Sequence, residues 1–242
     1  MRNIISVAVV LLFAGSALAQ SGQPIYPSYE GFAPNEDGTF TLAFGYYNPN
    51  TVPVEIAAGE ANGFDPGPDD RGQTTLFLPG RHRNVCFVVL GEDSAGKNLR
   101  WRVESAGEIV ATTERGGPDP LYLLEEIGAA YRLAQTIDTA SAPRGVCVNT
   151  PPSVFASSSV SAQVGEPLLL RARVGDDGLP RGSSLRIGWS KVSGPGEVTF
   201  DSRQAASTSA TFAAPGQYEL QIEATDGAAS QERTVVVTVT SP

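Results

Sequence analysis

Histidine occurs once in this chain of 242 residues and cysteine twice. Those three side chains cannot build a four-ligand Cys/His zinc site. A Ser-His-Asp triad would have to use His82, and no Gly-x-Ser-x-Gly elbow is present to carry its nucleophile. No Gly-rich phosphate loop follows a strand-like run, which excludes the common nucleotide cradle. Positive charge is also scarce: 17 Lys and Arg stand against 26 Asp and Glu, a formal charge of −9. No basic cluster offsets that balance, so nucleic acid and anionic membranes are not expected partners. Beyond the N-terminus no segment is apolar enough to span a bilayer.

What is present begins with a leader. Arg2 supplies a positive start, Ile4 to Leu12 is a short apolar run, and Ala17-Leu18-Ala19 fits a small-x-small cleavage site. Residues 1–19 therefore read as a signal peptide, with Gln20 as the mature N-terminus. No lipobox cysteine lies near the cleavage point. The expected location is outside the cytoplasm, periplasmic or secreted. Losing residues 1–19 removes Arg2 and no acid, which takes the charge to −10. About 220 residues remain, a length for one or two domains with a sizeable core.

The mature chain is dominated by period-two alternation and Gly/Pro turns, the pattern of short strands. Phe40, Leu42, Phe44 and Tyr46 alternate with Thr41, Ala43 and Gly45. Val52, Val54 and Ile56 form the next run, and the two read as an antiparallel hairpin. Gln20 to Pro34 reads as an extended lead-in and Ala61 to Gln73 as a loop. Asn84 to Leu90 is apolar on both parities, as in a strand buried on both faces. Leu99, Trp101 and Val103 alternate, and Glu108 to Thr113 returns as a strand. Further on, Leu168 to Val174, Leu185 to Trp189 and Tyr218 to Ala224 alternate clearly, and with their shorter neighbours they give about seven strands. Trp189 and Tyr218 are the expected core pieces, with Tyr218 where a tyrosine corner would lie.

Leu121, Leu124, Ile127 and Tyr131 sit at helical spacing, which predicts a short helix over 120–134. Ser141 to Pro152 is a linker containing Cys147 and the Pro151-Pro152 pair. In an exported chain Cys86 and Cys147 are expected to pair. Closing that loop of about 60 residues would stabilise the fold by roughly 4 kcal/mol in the chain-entropy treatment. It would also tie the linker to the first domain and move that domain's end to about 148. The expected fold class is all-β: two β-sandwich domains, the C-terminal one immunoglobulin-like, joined by a short helix and a Pro-containing linker. The boundaries are 1–19 for the signal, 20–118 for the first sandwich, 119–152 for helix and linker, and 153–242 for the second sandwich.

The stretches VGDDGLPRGSSLRIGWSKVSGPGEVTF and ATFAAPGQYELQIEATDGAAS resemble the immunoglobulin-like repeats of the polycystic-kidney-disease (PKD) superfamily, found in bacterial surface and secreted proteins. The resemblance covers about residues 153–241 and implies a fold rather than an activity. The usual Trp-Asp-Phe-Gly-Asp-Gly signature is absent; Gly188-Trp189-Ser190-Lys191 stands where a related strand would be. In the first half, FTLAFGYYNPN and FLPGRHRNVCFVV resemble a group of exported bacterial proteins, and that resemblance implies no activity.

Few residues are placed for chemistry. Asp65, Asp69 and Asp70 lie in a Gly/Pro-shaped loop and are the candidate calcium ligands, although the EF-hand spacing is missing. Calcium is the one cofactor the sequence raises. Arg81, His82 and Arg83 follow a Pro-Gly turn, a setting for solvated side chains or an anionic ligand. Tyr47 is the rim partner of a core Tyr46 and, beside Asn48 and Asn50, could stack on a sugar. No catalytic residue is assigned, and nothing sets an oligomeric state. The sequence thus points to a non-catalytic exported protein with a structural role, or one that binds a protein or glycan, at the cell envelope or outside it. The alternative is a hydrolase accessory or weak enzyme with its site in loops 65–83. Non-reducing mass spectrometry of the mature protein is expected to find Cys86 and Cys147 in one linked peptide; labelling of both as free thiols would contradict the pairing.

Overall fold

A computed structural model describes residues 22–91, 98–107, 109–113, 116–126 and 128–242. The signal expected over 1–19 lies outside these residues, as do Glu108, Ile127 and most of the turn after Gly91. Strands make up 51% of the described residues, so the all-β class holds.

The first half contains β1 (Tyr26–Pro34), β2 (Phe40–Asn48), β3 (Val54–Glu55), β4 (Asn62–Asp65), β5 (Leu76–Phe77), β6 (Gly80–Leu90), β7 (Arg100–Ser105), β8 (Ile109–Thr112), α1 (Ala129–Ala134) and β9 (Cys147–Val148). One sheet has the order β1-β2-β6-β9 and faces a second, β4-β7-β8. Alternation sends Phe40, Leu42, Phe44 and Tyr46 of β2 into the space between them, where they meet Phe64, Trp101 and Val103. Phe64 touches Phe44 edge-on at 5.2 Å and stacks on Trp101 at 5.7 Å. The Trp101 indole N–H needs a partner inside this core and donates to Asn62 Oδ1 at 2.8 Å. The Asn62 amide in turn donates to the carbonyls of Ile56 and Thr74.

Strand β6 is buried on both faces from Val85 to Leu90, as its sequence requires. Its outer side and that of β2 present Phe87 and Ala43 to a second cluster formed with Leu124 and α1. The helix expected over 120–134 is broken. Pro120–Tyr122 is a 3-10 turn, and α1 begins only after Gly128, whose backbone is extended (φ −71°, ψ 154°). The Leu124 N–H goes to the Phe32 carbonyl of β1 rather than to a helical acceptor. Leu121, expected on the apolar stripe, is left 88% exposed.

Two further expectations change. Val52 to Ile56 does not form a hairpin with β2. Strand β3 is two residues long and pairs with β5, while β2 is flanked by β1 and β6. Asn48 explains the departure: its side chain accepts from Asn50 N and donates to the carbonyls of Val52 and Phe77, and so turns the chain away from β2. The lead-in instead supplies β1, and the loop read over 61–73 contains β4.

The second half contains β10 (Ser153–Ala156), β11 (Ser159–Gln163), β12 (Leu168–Gly175), β13 (Arg186–Ser193), β14 (Val198–Phe200), β15 (Ser207–Phe212), β16 (Gly216–Thr225) and β17 (Ser230–Thr240). They form two sheets, β10-β12-β15-β14 and β11-β17-β16-β13. The expected strands are all present, and β10 is an eighth. Between the sheets lie Leu170, Trp189, Phe212, Tyr218, Leu220, Ile222 and the inward valines of β17. The tyrosine corner is formed. Tyr218 Oη donates to the Ala214 carbonyl at 2.7 Å and accepts from Gly196 N at 3.1 Å. Gly194 (φ +132°) passes so close to the ring that a Cβ would strike it. Tyr218→Phe is expected to leave those two backbone groups unpaired and to cost about 1–3 kcal/mol. A urea midpoint unchanged by the substitution would contradict this role.

Candidate functional site

The residues singled out by sequence are dispersed. Asp65 closes β4, and Asp65, Asp69 and Asp70 are all exposed. Asp70 Oδ1 accepts from Gly72 N, and its carboxylate is forked by the Arg181 guanidinium of the second sandwich. Arg181 and the Gly72 N–H hold its pKa below the usual range. Among the described residues no group of three or more His, Cys, Asp or Glu is arranged to hold a metal.

The loop itself is shaped from within. Arg71 is buried and donates to the carbonyls of Gly145, Pro66 and Gly67; burial lowers its pKa. Gln73 is buried beside it, accepting from Arg71 N and donating to the carbonyls of Asn62 and Asp69. This polar lining leaves the loop's acids outside.

His82 lies elsewhere, on β6. Its Nε2 is 3.1 Å from the Pro79 carbonyl, and its ring stacks on Tyr46 at 4.9 Å. Glu30 takes both neighbouring arginines, Arg81 at 2.7 Å and Arg83 at 3.5 Å. Tyr46 is in the core, where burial pushes its hydroxyl pKa up to about 12, and the hydroxyl accepts from Leu78 N. Tyr47 is on the rim, 42% exposed, and its direct cross-strand neighbour Tyr26 is 47% exposed. The clefts described in the structure lie on the second sandwich.

The structure gathers polar groups at a place the sequence reading passed over, the junction of the sandwiches. Cys86 and Cys147 are bonded, with Cα atoms 4.8 Å apart. That bond and the pairing of β9 with β6 fix the linker against the first sandwich. Two residues later Thr150 donates both N–H and hydroxyl to Asp177 Oδ2, at 2.7 and 2.8 Å, and Leu179 N donates to Oδ1. Asn149 Nδ2 donates to Asp226 Oδ2 at 2.9 Å. Arg181, on the same loop as Asp177, reaches back to the Gln73 carbonyl and to Asp70. Asp176-Asp177-Gly178 is a good turn sequence by itself. The Thr150 donor ahead of Pro151-Pro152 was the available signal for more.

Acceptors outnumber donors here, since Asn149 Oδ1 and Asp176 Oδ1 are buried without a partner. Burial pushes the Asp177 pKa up to about 6, outweighing the Thr150 and Leu179 donors. Burial, with the charge of Asp226, raises Asp176 as well. At Asp226 burial acts upward too, but the N–H groups of Ala229 and Ala228 and the Asn149 amide hold it low.

Two antiparallel-rich sheets closed face to face, with a buried tryptophan and a tyrosine corner, define the second half as an immunoglobulin-like sandwich. Residues 156–239 match the family described as K319L-like, PKD domain. Among solved structures, the PKD domain of human KIAA0319 (residues 329–428 there) is 19% identical, over 42% of this chain and 91% of that one, with a TM-score of 0.31. The tandem Ig repeats of Dlar are 11% identical, over 90% of this chain and 99% of that one, with a TM-score of 0.30. A putative α-galactosidase/melibiase of Bacteroides fragilis is 10% identical, over 37% of this chain and 17% of that one, with a TM-score of 0.29. This chain thus spans under a fifth of that protein's length. The second half is a PKD-like module of a structural or binding kind. The intramolecular disulfide is consistent with an extracellular setting, and no described helix is long and apolar enough to cross a membrane.

The junction makes a testable demand. The Asp177 pKa is raised above its unfolded value, so the folded chain keeps a proton that the unfolded chain gives up between about pH 4 and about pH 6. This carboxyl's contribution to stability is therefore best at low pH and declines as pH rises through that window. Asp177→Asn cannot titrate. The stability of wild type relative to Asp177→Asn is expected to fall from pH 4 to pH 7 in denaturant titrations, and a constant difference would contradict the assignment.

Proposed function

We propose that this chain is a non-catalytic exported protein that holds two β-sandwiches at a set spacing and binds a protein or glycan at the cell envelope or outside it. The carrying observation is the junction: a four-residue linker, Asn149 to Pro152, that starts beside the disulfide of the first sandwich and is bonded to the second through Asn149 and Thr150. Such a linker transmits orientation rather than slack. In this reading residues 1–19 are the signal, 20–118 form the first sandwich, 119–152 the helix and linker, and 153–242 the second sandwich. The disulfide brings the linker up to about 148 into the first unit.

The first sandwich offers the contact surface. Its β1-β2-β6 sheet is covered by α1 at one end of its outer face and open at the other. At the open end Tyr26 and Tyr47 are side by side, with Arg81 next in the row opposite Tyr47. Two exposed aromatic faces beside a charged edge suit the apolar face of a sugar ring or an amphipathic peptide. Nothing comparable supports catalysis, because His82 is stacked and bonded away from the acids of the 65–73 loop. On a glycan array, binding by the mature protein that disappears with Tyr26→Ala and Tyr47→Ala is the expected result for a glycan ligand. Substrate turnover lost on His82→Ala would overturn the non-catalytic reading.

A further inference from the structure

The two broad faces of the second sandwich carry opposite charge. On the outer face of β10-β12-β15-β14 stand Arg171 and Arg173, two residues apart on β12 and so about 7 Å apart. Their neighbours are Phe155, 60% exposed and directly opposite Arg173, and Leu169, 50% exposed and opposite Ser209. The outer face of β11-β17-β16-β13 carries Glu219, Glu223 and Glu232. Glu223 and Glu232 are direct cross-strand partners, a like-charge pairing that is destabilising in a sheet; Gln221 Nε2 donates to Glu232 but brings no charge. Arg186, opposite Thr225 at the end of that face, is its one cation among the described residues.

Neither set is neutralised within the chain. The ion pairs among the described residues involve Arg81, Arg83, Arg102, Arg144 and Arg181, and none uses Arg171, Arg173, Glu219, Glu223 or Glu232. The arginine face is thus a local exception on a chain of charge −9, and the matching carboxylates lie on the opposite side of the same module. We propose that the second sandwich self-associates, the Arg171/Arg173 face of one copy docking on the Glu219/Glu223/Glu232 face of the next. Phe155 and Leu169 provide the apolar contact at the edge of that interface. The two surfaces differ, so the contact is heterologous. A docked pair leaves one basic and one acidic face free, which extends the stack instead of closing a dimer.

Sedimentation velocity on the mature protein tests this directly. The expected result is a sedimentation coefficient that rises with concentration at low ionic strength and returns to the monomer value at high salt, because exposed charge pairs are screened. Arg171→Glu/Arg173→Glu makes both faces acidic, and Glu223→Arg/Glu232→Arg makes both basic. Each variant alone should lose self-association, and an equimolar mixture should regain it as a two-component complex. That regain also shows that both variants fold. If a reversal fails to fold, Arg171→Ala/Arg173→Ala should still lose association while keeping the wild-type melting transition. A wild type that stays monomeric at every salt and concentration overturns the proposal, as does association that survives either reversal. Retention of a monomeric wild type on heparin would likewise overturn it, assigning the arginine face to a foreign polyanion.

Discussion

Between the last residue paired to β6, Val148, and the first residue of β10, Ser153, the backbone has four residues in which to pass from one core to another. Two of them are prolines, which fix φ and donate no hydrogen bond. The other two, Asn149 and Thr150, place side-chain and backbone donors on carboxylates of the second sandwich. The Cys86–Cys147 bond sets where that crossing starts. The position of the second sandwich, its Asp177 loop and the reach of Arg181 to Asp70 all follow from a crossing this short.

The contacts across the junction are not of equal weight. The Arg181–Asp70 pair is partly exposed, and pairs of that kind contribute about 0–1 kcal/mol. The Thr150–Asp177 bonds are buried, and hydrogen bonds to a charged group contribute about 1.5–3 kcal/mol each. The second set therefore holds the junction, and Arg181 trims its angle. The cost is the burial of Asp177, which its raised pKa records. The acidic loop of the first sandwich gains its shape in the same way, from the hydrogen bonds of buried Arg71 and Gln73.

What could be read from the residues depended on how local the determining interaction is. Alternation is local, and the strands around Phe40–Tyr46, Leu99–Val103, Trp189 and Tyr218 were legible from it. The Tyr218 corner was legible because its acceptor lies four residues upstream. Strand β1 was not, because its apolar residues are broken by Gly31 and Pro27, and only pairing with β2 makes it a strand. The helix stripe misled because the Leu124 backbone is claimed by Phe32, 92 residues earlier. The junction was hidden for the same reason: Asp177 reads as a turn residue until Thr150, 27 positions away, is placed beside it.

The distribution of charge carries the synthesis one step further. Among the described residues, polar groups are concentrated inside the junction, around buried Arg71 and Gln73, and on the outer sheet faces. The junction's polar groups are largely consumed in holding one geometry. The outer faces are different, because Tyr26, Tyr47, Arg171, Arg173, Glu223 and Glu232 cross strands in ordered rows. Side chains in a sheet are held at fixed spacing by the backbone ladder. A rigid junction extends that fixed spacing from one sandwich to the next. The rows of exposed side chains on both sandwiches are thereby held at set separations.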